Sequence, residues 1–201
     1  MGETVADKTS KILAFVAVGF GVIALLFLCI GVGTVRWYTA GAAGSNYIVT
    51  GLNFFTYCTY DPTTGSQTTC TSRTASWHPV CDTNNYPTTT VVNSYSDCNN
   101  RIRNAAALTI VGIIFLAFGI VLTLVMAFGI LSEWFLNYIP AALLFLACLF
   151  MLAGLAEGAR YVTYNGYSAS LYETGHLLTM LSLFLSATAG GRISHACGGG
   201  N

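Results

Sequence analysis

Residues 12–35 read ILAFVAVGFGVIALLFLCIGVGTV, 24 positions without a charge, preceded by Lys8 and Lys11 and closed by Arg36 and Trp37. At ~1.5 Å per residue, a helix of this length crosses the ~30 Å hydrocarbon core of a bilayer. A cleaved signal peptide fits less well. The apolar run outlasts a usual h-region and lacks a clean small-residue cleavage site, and Arg36-Trp37 ends it like an interfacial anchor. Further along, residues 104–132 carry no charge over 29 positions, 134–156 none over 23 and 174–191 none over 18. The last spans only if extended back to Leu171. The runs predict transmembrane helices over 12–35, 104–131, 135–156 and 173–191.

Composition agrees with that pattern. The 201 residues are 54% hydrophobic and 8% charged, with a mean hydropathy of +0.63, whereas a soluble domain is about 25% charged. This excludes an ordinary soluble enzyme. Four spans place both termini on one side, as tails 1–11 and 192–201. They leave a long first loop, 36–103, a turn at 132–134 and a second loop at 157–172. The count of basic residues does not orient the chain. Lys8, Lys11 and Arg192 oppose Arg36, Arg73, Arg101, Arg103 and Arg160, and loops beyond about 60 residues escape the positive-inside rule.

Cysteine orients it better. Cys58, Cys70, Cys81 and Cys98 all fall in the first loop. An even set in a polar segment rich in Thr and Tyr suggests two disulfides, which persist only in an oxidising compartment. The first loop is therefore expected outside the cell, with both termini cytoplasmic. A zinc site would want close pairs such as C-x2-C. Here 11, 10 and 16 residues separate successive cysteines. Cys29 and Cys148 lie inside helices, where thiols pack as small hydrophobes. Cys197, just past Arg192, is a candidate for lipidation by S-palmitoylation; Met1-Gly2 lacks the Ser/Thr that myristoylation wants, position 6 being Ala.

Within the first loop, residues 47–50 and 52–60 are rich in β-branched and aromatic residues and predict strands. DPTTG at 61–65 predicts a turn. A strand at 67–72 completes a hairpin with Cys58 and Cys70 on its two arms, and 88–92 has further strand propensity. Pairing Cys58 with Cys70 leaves Cys81 for Cys98, although four cysteines allow three connectivities. So small a sheet needs disulfides and its tether to the helices for stability. The expected fold is a membrane all-α four-helix bundle with a small disulfide-stapled antiparallel β-sheet in the first loop, all one domain.

Trp37, Gly51-Leu52, Cys58 and Cys70 following a first transmembrane helix resemble the W…GLW…C…C signature of the claudin and peripheral myelin protein superfamily. The resemblance covers most of the chain: four helices, a long first loop, a minimal turn, a short second loop, and the run Arg103-Asn104-Ala105-Ala106-Ala107-Leu108 entering helix two. Gly166-Tyr167-Ser168 through Gly175 is similar to the family's second loop. The departures are Asn53 at the second Trp, a longer gap to the first cysteine, and the additional Cys81 and Cys98. Its character is nearer the invertebrate claudin-like proteins than a vertebrate tight-junction claudin. The resemblance implies a multi-pass protein of the plasma membrane and cell junctions, contributing to adhesion or a paracellular barrier and partnered by lipids and by itself or related proteins. The superfamily also contains auxiliary γ subunits, which implies an alternative role in modulating an ion channel or receptor.

Other four-helix families fit the cysteines poorly. Tetraspanins and connexin-type channels need cysteines in the second loop, and vitamin K epoxide reductase-like enzymes need a C-x-x-C pair; the sequence has neither. Intramembrane ionisable groups mark function, but only Glu157, Glu173 and His176 approach a cluster, and pairing of Glu157 with Arg160 at i,i+3 accounts for one of them. No nucleophile–base pair, phosphate loop or nucleic-acid patch is present, so the reading is non-enzymatic, without metal or cofactor. Gly112 and Gly119 share a helix face and suit close helix packing. Pro140 suits a first helical turn. Exposed aromatics make good contacts, and the candidates are Trp77, Tyr86, Tyr95, Tyr161, Tyr164 and Tyr167. First-loop charges, Asp61, Asp82 and Asp97 against Arg36, Arg73, Arg101 and Arg103, nearly balance, which predicts a barrier or a weakly selective path. The tail from His195 to Asn201 lacks the hydrophobic end that PDZ scaffolds read.

Overall fold

The computed structural model describes residues 5–41, 48–73, 81, 95–130, 134–162 and 164–198. In chain order these form helix α1 (Val5–Gly33), strands β1 (Tyr38–Gly41), β2 (Ile48–Leu52), β3 (Thr56–Tyr60) and β4 (Gln67–Ser72), and helix α2 (Tyr95–Ala127). A 3-10 turn (Trp134–Tyr138) then leads into α3 (Ile139–Gly158), and α4 is Tyr167–Gly198. Four stretches are long and apolar enough to cross a membrane: Lys8–Gly33, Asp97–Ala127, Phe135–Gly158 and Tyr167–His195.

Burial runs opposite to that of a soluble bundle. Leu26, Phe118, Val121, Phe145, Leu152, Leu177 and Phe184 are exposed, while Ala14, Ala17, Ala24, Thr123, Thr179, Ser182 and Ser186 are buried. Large apolar side chains facing outward, with small and hydroxylated ones inside, are what a lipid solvent demands. The chain is a multi-pass membrane protein.

The helices outrun the charge-free segments. α2 begins at Tyr95 rather than 104, α4 spans Tyr167–Gly198 rather than 173–191, and α1 and α3 end within two residues of expectation. Charged residues limit what enters hydrocarbon but do not break a helix. Asp97 and Arg101 even brace the first turns of α2 as an i,i+4 pair 3.1 Å apart. α2 stops at Ala127, short of 131, because Gly129 takes φ +72°. Its N–H bonds to Met126 O, and the Ile130 N–H to Val125 O, closing a Schellman cap. Pro140 falls in the first turn of α3, where its missing N–H costs nothing.

The chain packs as two compact units. The first comprises Met1–Leu28, Ile110–Met151 and Thr174–Asn201. Its helices approach closely at glycines. A Cβ at Gly112 would come 2.6 Å from Met151 Cγ, and one at Gly119 2.7 Å from Leu144 Cδ2, so both glycines face α3. Polar bonds cross between helices: Ser182 Oγ donates to Ala17 O at 2.8 Å, and Thr123 and Ser186 share a hydroxyl bond of 3.1 Å.

The second unit comprises Cys29–Thr109 and Leu152–Glu173 and contains an antiparallel sheet of order β1-β2-β3-β4. Thr39, Gly51, Cys58 and Cys70 stand opposite one another in a single row across all four strands. That register places Cys58 beside Cys70 with Cα atoms 4.1 Å apart, and they are bridged. Cys81 is bridged to Cys98 on the first turn of α2. The segment 52–60 is not one strand. Asn53 Oδ1 accepts from the Phe55 and Thr56 N–H groups, and the resulting turn separates β2 from β3. β1 went unanticipated, and 88–92 lies outside the described residues. A Cys58→Ser/Cys70→Ser variant is expected to lose about 3 kcal/mol by chain entropy. A thermal midpoint in detergent equal to that of the wild type would contradict this.

Candidate functional site

The first loop is organised around the C-terminus of α1, whose last carbonyls have no partners within the helix. Trp37 Nε1 donates to Gly31 O at 2.6 Å. Asn53 Nδ2 donates to Val32 O at 3.3 Å and to Thr34 O at 3.2 Å, while Thr34 Oγ1 takes Ile30 O at 2.8 Å. Trp37, fully buried, packs against Phe54, Tyr164 and Tyr172 with ring centroids 4.7, 5.3 and 5.1 Å away. The sequence motif therefore serves as a joint. Trp37 ties helix end to aromatic core, and Leu52 is buried beside it in sequence to Asn53. Gly51 leaves room for Val35 O, which a Cβ would meet at 2.6 Å. Asn53 works as both cap and turn. Its role was not apparent from composition, although an Asn ending a strand-like run is a turn signal.

The two edges of the sheet differ. Along β1, Asn165 Oδ1 accepts from Thr39 N at 2.8 Å and Asn165 Nδ2 donates to Thr39 O at 2.9 Å, as a neighbouring strand would. Asn165 and Gly166 also direct their N–H groups to Trp37 O. At the other end of the sheet, β4 is exposed at every position, Gln67 through Ser72. Thr59 bonds across to Thr68 and Thr69 at 2.9 and 2.7 Å. β1 and β4 are the two edge strands of the described sheet, and Asn165 bonds to β1 at Thr39.

The β3–β4 hairpin is held by Asp61. Its Oδ1 accepts from the Thr63 and Thr64 N–H groups at 2.7 and 3.1 Å, and Gly65 follows at φ 68°. Hydrogen bonds from Thr63 hold the Asp61 carboxyl below its ordinary range. A carboxyl with a depressed folded pKa stabilises above the unfolded pKa and loses that contribution as pH falls through the folded value. The difference in thermal midpoint between wild type and Asp61→Ala should be present at neutral pH and close in acid. A gap unchanged down to pH 2 would contradict this.

A charged cluster joins α2, α3 and the second loop. Arg101 contacts Asp97 at 3.1 Å and Glu157 at 2.9 Å, and the Tyr161 hydroxyl donates to Asp97 at 2.7 Å. Donation to Asp97 raises the Tyr161 phenol above its ordinary value. Glu157 thus pairs with Arg101, from a distant part of the chain, instead of with Arg160 as its spacing suggested. The other two members of the suspected cluster do not complete a ligand set: His176 Nε2 lies 3.2 Å from Cys148 O, and Glu173 is exposed. Among the described residues no group of three His, Cys, Asp or Glu is arranged to hold a metal.

The contact candidates separate accordingly. Tyr161 is committed to Asp97. Tyr164 packs beside Trp37, donates to Leu155 O at 2.7 Å, and has its phenol raised by burial. Tyr167 is 53% exposed, with the Arg36 guanidinium 5.8 Å from its ring centre. The same guanidinium lies 5.8 Å from the Tyr60 ring, so Arg36 braces Tyr167 at the surface by cation–π attraction. Tyr95 opens α2 and Cys197 lies in the last turn of α4, but both side chains, like Trp77, Tyr86 and Asp82, fall outside the described residues. No protein-family model matches the chain, and no curated protein matches it.

Proposed function

We propose that this chain is a claudin-like integral membrane protein of cell–cell contacts that contributes to adhesion or a paracellular barrier at the plasma membrane. The carrying observation is the asymmetry of the stapled sheet. The β1 edge is occupied by Asn165, whereas β4 presents six exposed residues, mostly hydroxyl-bearing. An exposed strand edge invites pairing with another chain, and the Cys58–Cys70 disulfide ties this one to β3. The bridges support placing the first loop outside the cell and both termini in the cytoplasm. Tyr167, braced by Arg36, is the best-placed aromatic of the second loop. Asp97 and Arg101 offset each other, which favours a barrier over a strongly selective path. The resemblance of Trp37, Gly51-Leu52, Cys58 and Cys70 to the claudin signature adds to this reading.

The test is localisation of a tagged copy in mixed cultures. Enrichment at boundaries between two expressing cells, and its absence where only one cell expresses, is expected. Uniform membrane staining with co-purification of a channel or receptor would replace this reading with that of an auxiliary subunit.

A further inference from the structure

The sequence contains a single Asn-Gly pair, Asn165-Gly166, and the fold needs both residues for separate reasons. Asn165 is exposed, and its side-chain amide engages Thr39 of β1 at both ends. Oδ1 accepts from Thr39 N at 2.8 Å, and Nδ2 donates to Thr39 O at 2.9 Å. A side-chain amide offers an acceptor and a donor side by side, which a carboxylate does not. Gly166 is held to glycine by space, because a Cβ there would run into the Arg36 carbonyl. These two demands bring together the residue pair most open to attack of a backbone nitrogen on a side-chain amide. A glycine after asparagine has no side chain to shield its own nitrogen, which can then reach the asparagine Cγ. Here that nitrogen is occupied. Gly166 N donates to Trp37 O at 2.9 Å, and Asn165 N donates to the same oxygen at 3.2 Å.

We propose that Asn165 is a site of spontaneous deamidation gated by the docking of residues 165–166 on β1. When this contact opens, Gly166 N gives up its proton and attacks Asn165 Cγ. The Cγ–Nδ2 bond breaks and ammonia leaves with that proton, closing a succinimide. Water then adds to one of the two ring carbonyls and the bond from that carbon to Gly166 N breaks. Attack at Cγ gives aspartate, and attack at the main-chain carbonyl gives isoaspartate. One water is consumed, one ammonia is released, and nothing is oxidised or reduced. While the contact is closed, the attacking N–H and the departing Nδ2 are both held by acceptors, so the rate follows the fraction of molecules in which it is open. The product does not restore the contact. An ionised carboxylate only accepts, so an oxygen stands where Nδ2 faced Thr39 O, and isoaspartate also lengthens the main chain beside Trp37 O. Conversion is thus a one-way release of the second loop from β1, and it leaves both edges of the sheet open to pairing.

The full-length protein is incubated in detergent in mildly alkaline buffer, and peptide mass spectrometry follows the amide-to-acid mass gain at residue 165, with isoaspartate scored by its methyltransferase. Wild type is compared with Thr39→Pro, with Asn165→Gln and with the wild-type chain unfolded in guanidinium. Thr39→Pro removes the N–H that bonds to Asn165 Oδ1, and proline is tolerated on an edge strand. Conversion should be fastest in the unfolded chain and slowest in folded wild type. Thr39→Pro should lie between them, roughly 3–10-fold faster than wild type, the effect of one lost hydrogen bond. Should Thr39→Pro not fold, a rise of the wild-type rate in urea below the unfolding transition tests the same gate. Asn165→Gln should abolish the signal, since its ring closure is much slower. The product is represented by Asn165→Asp, whose thermal midpoint at neutral pH should fall by roughly 3–8 °C. Equal rates in folded and unfolded wild type, or in Thr39→Pro and wild type, overturn the gate. No conversion in the unfolded chain overturns the site, and an unchanged midpoint for Asn165→Asp overturns the release of β1.

Discussion

Gly166→Ala should yield almost no folded protein. A Cβ at this position would run into the backbone carbonyl of Arg36, with Arg36 C at 2.6 Å and Trp37 O at 3.1 Å. A long side chain can swing away from such an overlap, but these atoms belong to the chain segment that the same region grips. Gly166 N and Asn165 N both donate to Trp37 O, at 2.9 and 3.2 Å, and Ser168 N donates to Arg36 O at 3.2 Å. Separating the segments by the width of a methyl group breaks these bonds together and pulls Asn165 off β1. The cost should reach about 4 kcal/mol or more, the range reserved for clashes that the surroundings cannot absorb. Size-exclusion yield and thermal midpoint in detergent measure it. Gly19→Ala is the matched control, because a Cβ there meets nothing within 4 Å, and alanine suits a helix better than glycine by about 0.5–1 kcal/mol. Comparable losses in the two variants would show that the packing at Gly166 is not as described.

Trp37→Ala is expected to cost about 3–5 kcal/mol, the usual range for deleting a buried indole. Three rings lose their common neighbour, and Gly31 O loses the donor that caps α1. Trp37→Phe divides the effect. It keeps an aromatic against Phe54 and Tyr172 but leaves the Gly31 carbonyl bare, so a loss of about 1–3 kcal/mol is expected. Chemical unfolding in mixed micelles, followed by near-ultraviolet circular dichroism, gives both values. If the phenylalanine variant matches the alanine variant, capping outweighs packing; if it matches the wild type, the hydrogen bond contributes nothing.

Most of the fold could be read from local pattern. The uncharged runs marked four helices because charge exclusion by hydrocarbon acts on every residue in a span. The strand at 67–72 was placed correctly because DPTTG at 61–65 and its threonines carry strong turn and strand preferences. The errors fell where a preference is outvoted by a neighbour. Residues 52–60 have strand composition throughout, yet Asn53 bends them, since its amide finds the open carbonyls of α1 and the N–H groups of Phe55 and Thr56 within reach. The hydrogen bond of Tyr161 to Asp97 and the packing of Tyr164 on Trp37 likewise join residues that no local pattern relates. Arg160 stood at helical spacing from Glu157, but Arg101, 56 residues away, takes the bond.

Four membrane-spanning helices and a first loop holding four cysteines are legible from the chain alone, because length, charge and hydropathy act residue by residue. Packing across the chain settles that Asn165 bonds to Thr39 on the β1 edge while the β4 residues are exposed, and that Arg101 takes Glu157. Both depend on which backbone groups and charges remain unsatisfied after distant segments have packed, and a hydrogen bond or an ion pair is settled by distance in space rather than by position in the chain.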